Sequence, residues 1–448
     1  MRRETSERVA AVLCLAFIGV LLAFVVLRML TREVLPMAGV SADALTQVVW
    51  FDRTEAGDQQ EEIDWAELYP FPEGMENPDD PQRAHAGTPV VTAIEEFAGR
   101  VQEGLEDYSS KVLAFKQDFV NLAKGYESLI GWGEIGRMKQ GILRFDDGHY
   151  YTAHGPVDTG KAANAVIGLN AFCQERGIGF VYVQIPFKVS PIEDPEVSGV
   201  TDFSAQSAAG IVASLDAAGV ETHDVYEDIR EEGLAHHELF FVTDHHWKPE
   251  TGIWAAGNLM EHLRQLGYDV DPSLVDPSLF RADVYPHFFL GEYGRQVTML
   301  QAEPDDISLL YPTYPTHLRF EIPSRDMAVE GDFSILYDLW MVEVFDPYYR
   351  HPYSAYLYGN RPLERIYNLD AENDLHVLIL HDSYGTTLIP FLSMGIAHID
   401  AIDLRVFNGS VESFIETEQP DLVIVAYGAI MAYHTAQTSS HNQVYDLR

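Results

Sequence analysis

The sequence predicts an α/β domain in which a parallel sheet carries helices on both faces. Short apolar runs at 179–185 (GFVYVQI), 376–380 (HVLIL) and 421–426 (DLVIVA) have the length and near-continuous hydrophobicity of strands buried on both sides. Segments with helical spacing, such as 162–176 and 251–266, lie between and around them. That alternation is the pattern of a sheet wound with crossover helices.

The elements follow in order. Residues 9–27 form an uncharged, mostly apolar run of 19 residues behind Arg2, Arg3 and Arg8. A helix needs about 20 apolar residues to cross a bilayer, so residues 1–33 are expected to be a single-pass membrane anchor. A cleaved leader is the rival reading, but its small-residue site at Ala42-Asp43-Ala44 lies beyond Arg28, Arg32 and Glu33, far from the apolar run. Residues 34–90 read as a linker, with the acidic pairs Glu61-Glu62 and Asp79-Asp80 and no sustained apolar period. In the segment 91–129 apolar residues recur in steps of four and three, from Ile94, Ala98, Val101 and Leu105 on to Leu129. This heptad seam fits a coiled coil, and hence a homo-oligomer through 94–129; a single helix lying on its own domain fits equally. The α/β domain is expected over 130–430. The Pro- and Tyr-rich stretch 272–365, which lacks a clear period, reads as an insertion of loops and short strands, and 431–448 as a tail.

Composition narrows the function. The 448 residues carry 29 Lys+Arg against 69 Asp+Glu, a net charge of −40, which excludes nucleic acid as a partner because phosphate binding needs clustered cations. Cys14 lies in the apolar run and Cys173 is alone in the rest, so neither a disulfide framework nor a cysteine-based zinc site is available.

Two segments carry chemistry. In Phe241-Val-Thr-Asp-His-His-Trp-Lys-Pro-Glu250, Pro249 marks a helix start and leaves Asp244, His245 and His246 in the loop before it. In Val377-Leu-Ile-Leu-His-Asp-Ser-Tyr-Gly-Thr386, an apolar strand runs into Asp382-Ser383, with a helix expected near 386–394. Ligands bind beyond the carboxyl ends of strands in open α/β sheets, and a helix N-terminus there offers unpaired N–H groups to an oxyanion. Together the segments supply the parts for acyl transfer: Ser383 to attack, a histidine to take its proton, and an aspartate to hold the imidazole tautomer. A helix N-cap at Asp382-Ser383 and core hydrogen bonding by the His and Trp residues are the plainer readings.

With these motifs the chain resembles the SGNH-hydrolase-like proteins of polysaccharide acetylation, the alginate AlgX/AlgJ group, and more closely the bacterial DHHW family. Asp146-Asp-Gly-His149, Ile185-Pro-Phe-Lys188, Gly291-Glu-Tyr-Gly-Arg295 and Ile402-Asp-Leu-Arg-Val-Phe407 stand in the order this resemblance expects. It implies an SGNH-like, flavodoxin-type parallel sheet over about 130–430. It also implies a triad of Asp244, His246 and Ser383, in a chain order permuted from ordinary SGNH esterases, with His245 as a neighbour. The implied activity is acetyl transfer onto, or off, a surface polysaccharide outside the membrane, supplied by a membrane-bound O-acyltransferase. No cofactor and no metal is expected.

Some residues depart from the pattern. His381 stands where glycine commonly precedes Asp-Ser, and could crowd the turn or join the proton relay together with Asp382. No Gly-x-Asn-Asp segment supplies the usual oxyanion asparagine. Arg405, Tyr384 and Lys188 are candidate oxyanion or substrate contacts; a structural ion pair, a core tyrosine and a solvent-facing lysine are their ordinary alternatives. A non-catalytic glycan-binding or assembly protein with a degenerate site is the second reading. The metal motif of DHH phosphoesterases is a third, disfavoured because adjacent histidines on an extended chain point to opposite faces.

Overall fold

The computed structural model describes residues 142–145, 147–190, 202–299, 301–433 and 445–447. The chain enters through a hairpin of β1 (Ile142–Arg144) and β2 (Tyr150–Thr152), then runs through α1 (Gly160–Gln174), β3 (Gly179–Ile185), α2 (Ser204–Ala217), β4 (Thr222–Asp224), α3 (Val225–Glu232) and α4 (Pro249–Gln265). Next come β5 (Phe280–Phe289), α5 (Glu292–Val297), β6 (Asp305–Pro312), β7 (Leu318–Ile322), β8 (Met327–Gly331), the single turn α6 (Trp340–Glu343) and β9 (Glu364–Asn368). Then follow β10 (His376–His381), the short α7 (Ile389–Leu392), β11 (His398–Asp403), α8 (Val411–Glu418) and β12 (Leu422–Gly428).

Eight strands form one sheet in the order β4-β3-β12-β10-β11-β9-β7-β8. The first five are parallel, and the three apolar runs of the sequence are the central strands β3, β12 and β10. The expectation of a wholly parallel sheet needs correction here. Strands β9, β7 and β8 join antiparallel; β7 and β8 come from the stretch 272–365, and β9 begins at its end. A tight turn links β7 to β8, and β9 returns beside β7 after the longer segment 332–363, which holds only short turns and α6, so the insertion extends the sheet rather than looping over it.

Alternation along each strand divides the core into two layers. Val377 and Ile379 face one way, with Val181, Val183, Leu422 and Ile424, and are covered by Ile253, Ala256, Leu259 and Leu263 of α4. Leu378 and Leu380 face the other way, with Tyr182, Val423 and Val425, under α1 (Val166, Leu169), α2 (Ile211, Leu215) and α8 (Val411, Ile415). Each fully buried aliphatic side chain contributes about 1.5–3 kcal/mol, which fixes the strand register that aims the loops at the carboxyl edge. Tyr445 and Leu447, within the segment read as a tail, are buried in the second layer.

The expected anchor (1–33), linker (34–90) and heptad segment (91–129) lie outside the described residues. Among the described residues no helix is long and apolar enough to cross a membrane.

Candidate active site

The two motif segments meet at the carboxyl edge of the sheet. Strand β10 ends at His381, and Asp382 turns the chain by accepting the Tyr384 N–H at 3.0 Å and the Gly428 N–H, from the end of β12, at 2.7 Å. Ser383 opens the short 3-10 turn Ser383–Thr387. From the other side, the loop before α4 brings up Asp244 and His246, with Pro249 in the first turn of that helix as the sequence predicts.

Three side chains form a continuous relay. His246 Nε2 lies 2.7 Å from Ser383 Oγ, and His246 Nδ1 lies 2.6 Å from Asp244 Oδ1. Asp244 is fully buried and accepts two further bonds, from the His246 N–H at 2.9 Å and the Glu292 N–H at 2.7 Å. Burial alone would raise its carboxyl, but the neighbouring His246 and His245 charges hold it well below the usual range. For His246, burial and the charge of His245 outweigh the pull of Asp244, and its pKa falls to about 4. An Asp244 carboxylate on Nδ1–H leaves the Nε2 lone pair aimed at the Ser383 hydroxyl.

Aromatic residues lace the two loops together. Trp247 Nε1 donates to Thr387 Oγ1 at 2.8 Å and to the Tyr384 carbonyl at 3.2 Å. In return the Tyr384 hydroxyl donates to the His245 carbonyl at 2.8 Å. Tyr384 is therefore a buried strut between the loops, the core tyrosine of the two expectations; a substrate contact does not fit a side chain so enclosed.

Lys188 also differs from both expectations. It is fully buried, and Nζ donates to the carbonyls of Tyr150 (2.8 Å), Val242 (3.0 Å) and Asp244 (2.7 Å). Three N–H donors meet three acceptors, which leaves none for a substrate. Arg405 is likewise committed: Nε and Nη2 both bind the Asp403 carboxylate, at 2.9 and 2.7 Å. That is the structural ion pair, with Asp382 as a further charge nearby.

His381 does not crowd the turn. Its Nδ1 reaches the Asp382 carbonyl at 2.8 Å, and its Nε2 faces Glu364 Oε2 at 3.8 Å. A Cβ on Gly385 would come within 2.6 Å of His381 Cβ, so the glycine supplies the room that the usual glycine before Asp-Ser would have provided. His245 Nδ1 lies 3.3 Å from Glu292 and 3.5 Å from Asp244. Burial opposes its protonation, but these two carboxylates raise its pKa. The rings of His245 and His246 sit side by side, with centroids 3.8 Å apart. The loop bends here, so the opposite-face argument for an extended chain does not apply.

At the turn expected to serve an oxyanion, two of the N–H groups are already engaged. The Tyr384 N–H is taken by Asp382 Oδ1 and the Gly385 N–H by the Asp382 carbonyl, at 3.0 Å each, so the turn uses these donors itself.

Several contributors were not foreseen. Asp305 accepts from the N–H groups of Val242 and Thr243 at 2.7 and 2.8 Å and from Thr243 Oγ1 at 2.6 Å. Tyr353 stacks on His246, with centroids 4.3 Å apart, and shares a hydrogen bond with Thr387. His351 Nε2 is 4.0 Å from Asp244, and burial lowers its pKa to about 4. Gly291 packs so closely on Asp244 that a Cβ would lie 2.3 Å from Asp244 Cβ, which explains the first glycine of Gly291-Glu-Tyr-Gly-Arg295.

A mixed α/β sheet with a Ser–His–Asp relay at its carboxyl edge, the Asp-x-His pair preceding the serine, defines an SGNH-like α/β domain. The family described as the SGNH hydrolase-like domain of the acetyltransferase AlgX matches residues 146–274. The fold is similar to that of Bacillus cereus PatB1 with a sulfonyl adduct (16% identity, TM-score 0.55, covering 67% of this chain and 98% of that one). It is also similar to a DHHW family protein from Eubacterium siraeum (18% identity, TM-score 0.51, covering 68% of this chain and 94% of that one). No curated protein matches the sequence. The chain thus resembles the SGNH-hydrolase-like acetylation proteins to which its motifs pointed.

Proposed function

We propose that the protein is a serine-dependent O-acetyltransferase or acetylesterase acting on a cell-surface or exported polysaccharide, anchored through residues 1–33 with its main domain outside the cytoplasm. The observation that carries this reading is the relay from Asp244 through His246 to Ser383, at 2.6 and 2.7 Å. The match to an SGNH hydrolase-like acetyltransferase domain supports acetyl as the group moved.

In this mechanism Ser383 Oγ bonds to the acetyl carbonyl carbon as its proton passes to His246 Nε2. Asp244 holds Nδ1–H and stabilises the imidazolium. Collapse of the tetrahedral adduct breaks the bond to the donor oxygen, which takes the proton from His246 and leaves acetyl-Ser383. A sugar hydroxyl or water then repeats the steps in reverse, and that acceptor alone separates transferase from esterase. A membrane-bound O-acyltransferase is the partner that would present the donor.

A non-catalytic glycan-binding protein is the second reading, favoured by the use of the Tyr384 and Gly385 N–H groups within the turn. Mass spectrometry of the full-length protein after incubation with an activated acetyl ester separates the two. The proposal expects an acetyl adduct on the Ser383 peptide, absent in Ser383→Ala and His246→Ala. Glycan binding unaffected by Ser383→Ala, with no adduct in wild type, would establish the second reading instead.

A further inference from the structure

Apart from the Ser383 relay, Asp147 and His149, at the tip of the β1–β2 hairpin, meet His237 of the 3-10 turn His236–Leu239. One oxygen of Asp147 lies 2.6 Å from His237 Nδ1 and the other 3.1 Å from His149 Nδ1. One ligand atom from each residue falls within 4.8 Å of the others. Local chain geometry builds the arrangement. The Asp147 side chain accepts the His149 N–H at 3.0 Å, and Gly148, at φ +100°, makes the turn that sets the two side chains on one side.

His149 makes this more than a hydrogen-bonded cluster. Both of its ring nitrogens are shut off from water, and neither has a hydrogen-bond partner, since Nδ1 approaches Asp147 outside hydrogen-bond geometry. An imidazole always carries at least one N–H or lone pair that needs a partner, so a doubly unsatisfied buried ring is a cost that calls for a ligand. One carboxylate oxygen and two imidazole nitrogens are the donor set of a three-residue divalent site that keeps one position for solvent. Asp147, with 42% of its side chain exposed, gives a hydrated ion its way in.

We propose that Asp147, His149 and His237 bind a transition-metal dication of the zinc type. Two nitrogen ligands out of three select against magnesium and calcium, which prefer oxygen. The ion would bridge the β1–β2 hairpin to the chain that continues into Asp244 and His246. The two are already joined by the Tyr150 N–H to the Val242 carbonyl at 2.9 Å and by Lys188, which binds the carbonyls of both residues. Its role is therefore to brace the loop, separate from the chemistry at Ser383.

The test strips the full-length protein with a chelator and titrates it with Zn2+ in excess Mg2+, which occupies the acidic surface. Metal is counted by mass spectrometry, and Co2+ replaces Zn2+ for a visible ligand-field spectrum. The expected result is one tightly held zinc, with affinity reduced at least about 100-fold in His149→Gln and in His237→Gln, while His376→Gln, in the separate cluster of His376, His398 and Asp400, retains it. Circular dichroism checks folding of each variant, and Asp147→Asn, at the most exposed of the three positions, decides if His149→Gln does not fold. Failure of wild type to retain zinc, or retention unchanged in the folded ligand variants, would overturn the assignment.

Discussion

Lys188 and Asp305 grip the same piece of backbone, one as donor and the other as acceptor. The ammonium takes the carbonyls of Val242 and Asp244, and the carboxylate takes the N–H groups of Val242 and Thr243. A buried loop must have its peptide groups paired, and here Asp305, at the start of β6, and Lys188, just past β3, do this: burial pulls the Lys188 pKa down to about 7 and pushes Asp305 up, and each offsets part of the shift of the other.

Lys188→Met should therefore cost far more than a surface lysine. It leaves Asp305 without its counter-charge and three carbonyls without a donor, a loss of about 3–5 kcal/mol. Urea unfolding measures it, and a loss below 1 kcal/mol would show that the grip is dispensable.

Trp247→Phe keeps most of the apolar volume but removes the N–H that reaches Thr387 and Tyr384. The expected cost is about 1–2 kcal/mol of stability. Acetyl turnover should fall mainly in kcat, because the two loops drift apart while the substrate surface stays. A change confined to KM would contradict this role.

Gly291→Ala should cripple the site without touching the relay residues themselves. The new methyl would displace Asp244, and a shift of about 1 Å in a catalytic group costs on the order of 100-fold in rate. Wild-type turnover in the folded variant would sink the argument.

The pH profile has a definite sign. In the proposed mechanism His246 must be neutral to accept the Ser383 proton, and with its pKa at about 4 activity should be lost only as the pH falls through about 4. The charge of His245 helps hold that pKa down, so His245→Gln should move the acid limb upward, toward ordinary histidine behaviour. An acid limb already near pH 6.5 in wild type would contradict the buried environment of His246.

Much of the fold and site was legible because it rests on local patterns. The strand at 179–185 appears with those same bounds, and the strand into Asp382-Ser383 and the Asp-His-His-Trp loop converge as their placement before helices implied. The rest depends on partners remote in sequence. Asp305, His351 and Tyr353 come from the stretch 272–365, where antiparallel strands and single turns leave no period to read. Lys188 was misjudged because an unpaired lysine belongs at the surface; only three converging carbonyls make burial acceptable, and nothing in Ile-Pro-Phe-Lys announces them. Arg405 follows the rule for its type, pairing with a carboxylate two residues away.

The hydrogen bond from His246 to Ser383 joins positions 137 apart in the chain. Closing such a loop carries an entropic cost that only strands β10 and β12, set into a finished sheet, can offset. During refolding, helical signal should therefore return well before acyl transfer does. A growing chain that has not yet reached Ser383 is chemically silent however well α1 to α4 have formed. On the proposed chemistry, competence arrives with the last central strands, so Ser383 is not activated while the chain is half made.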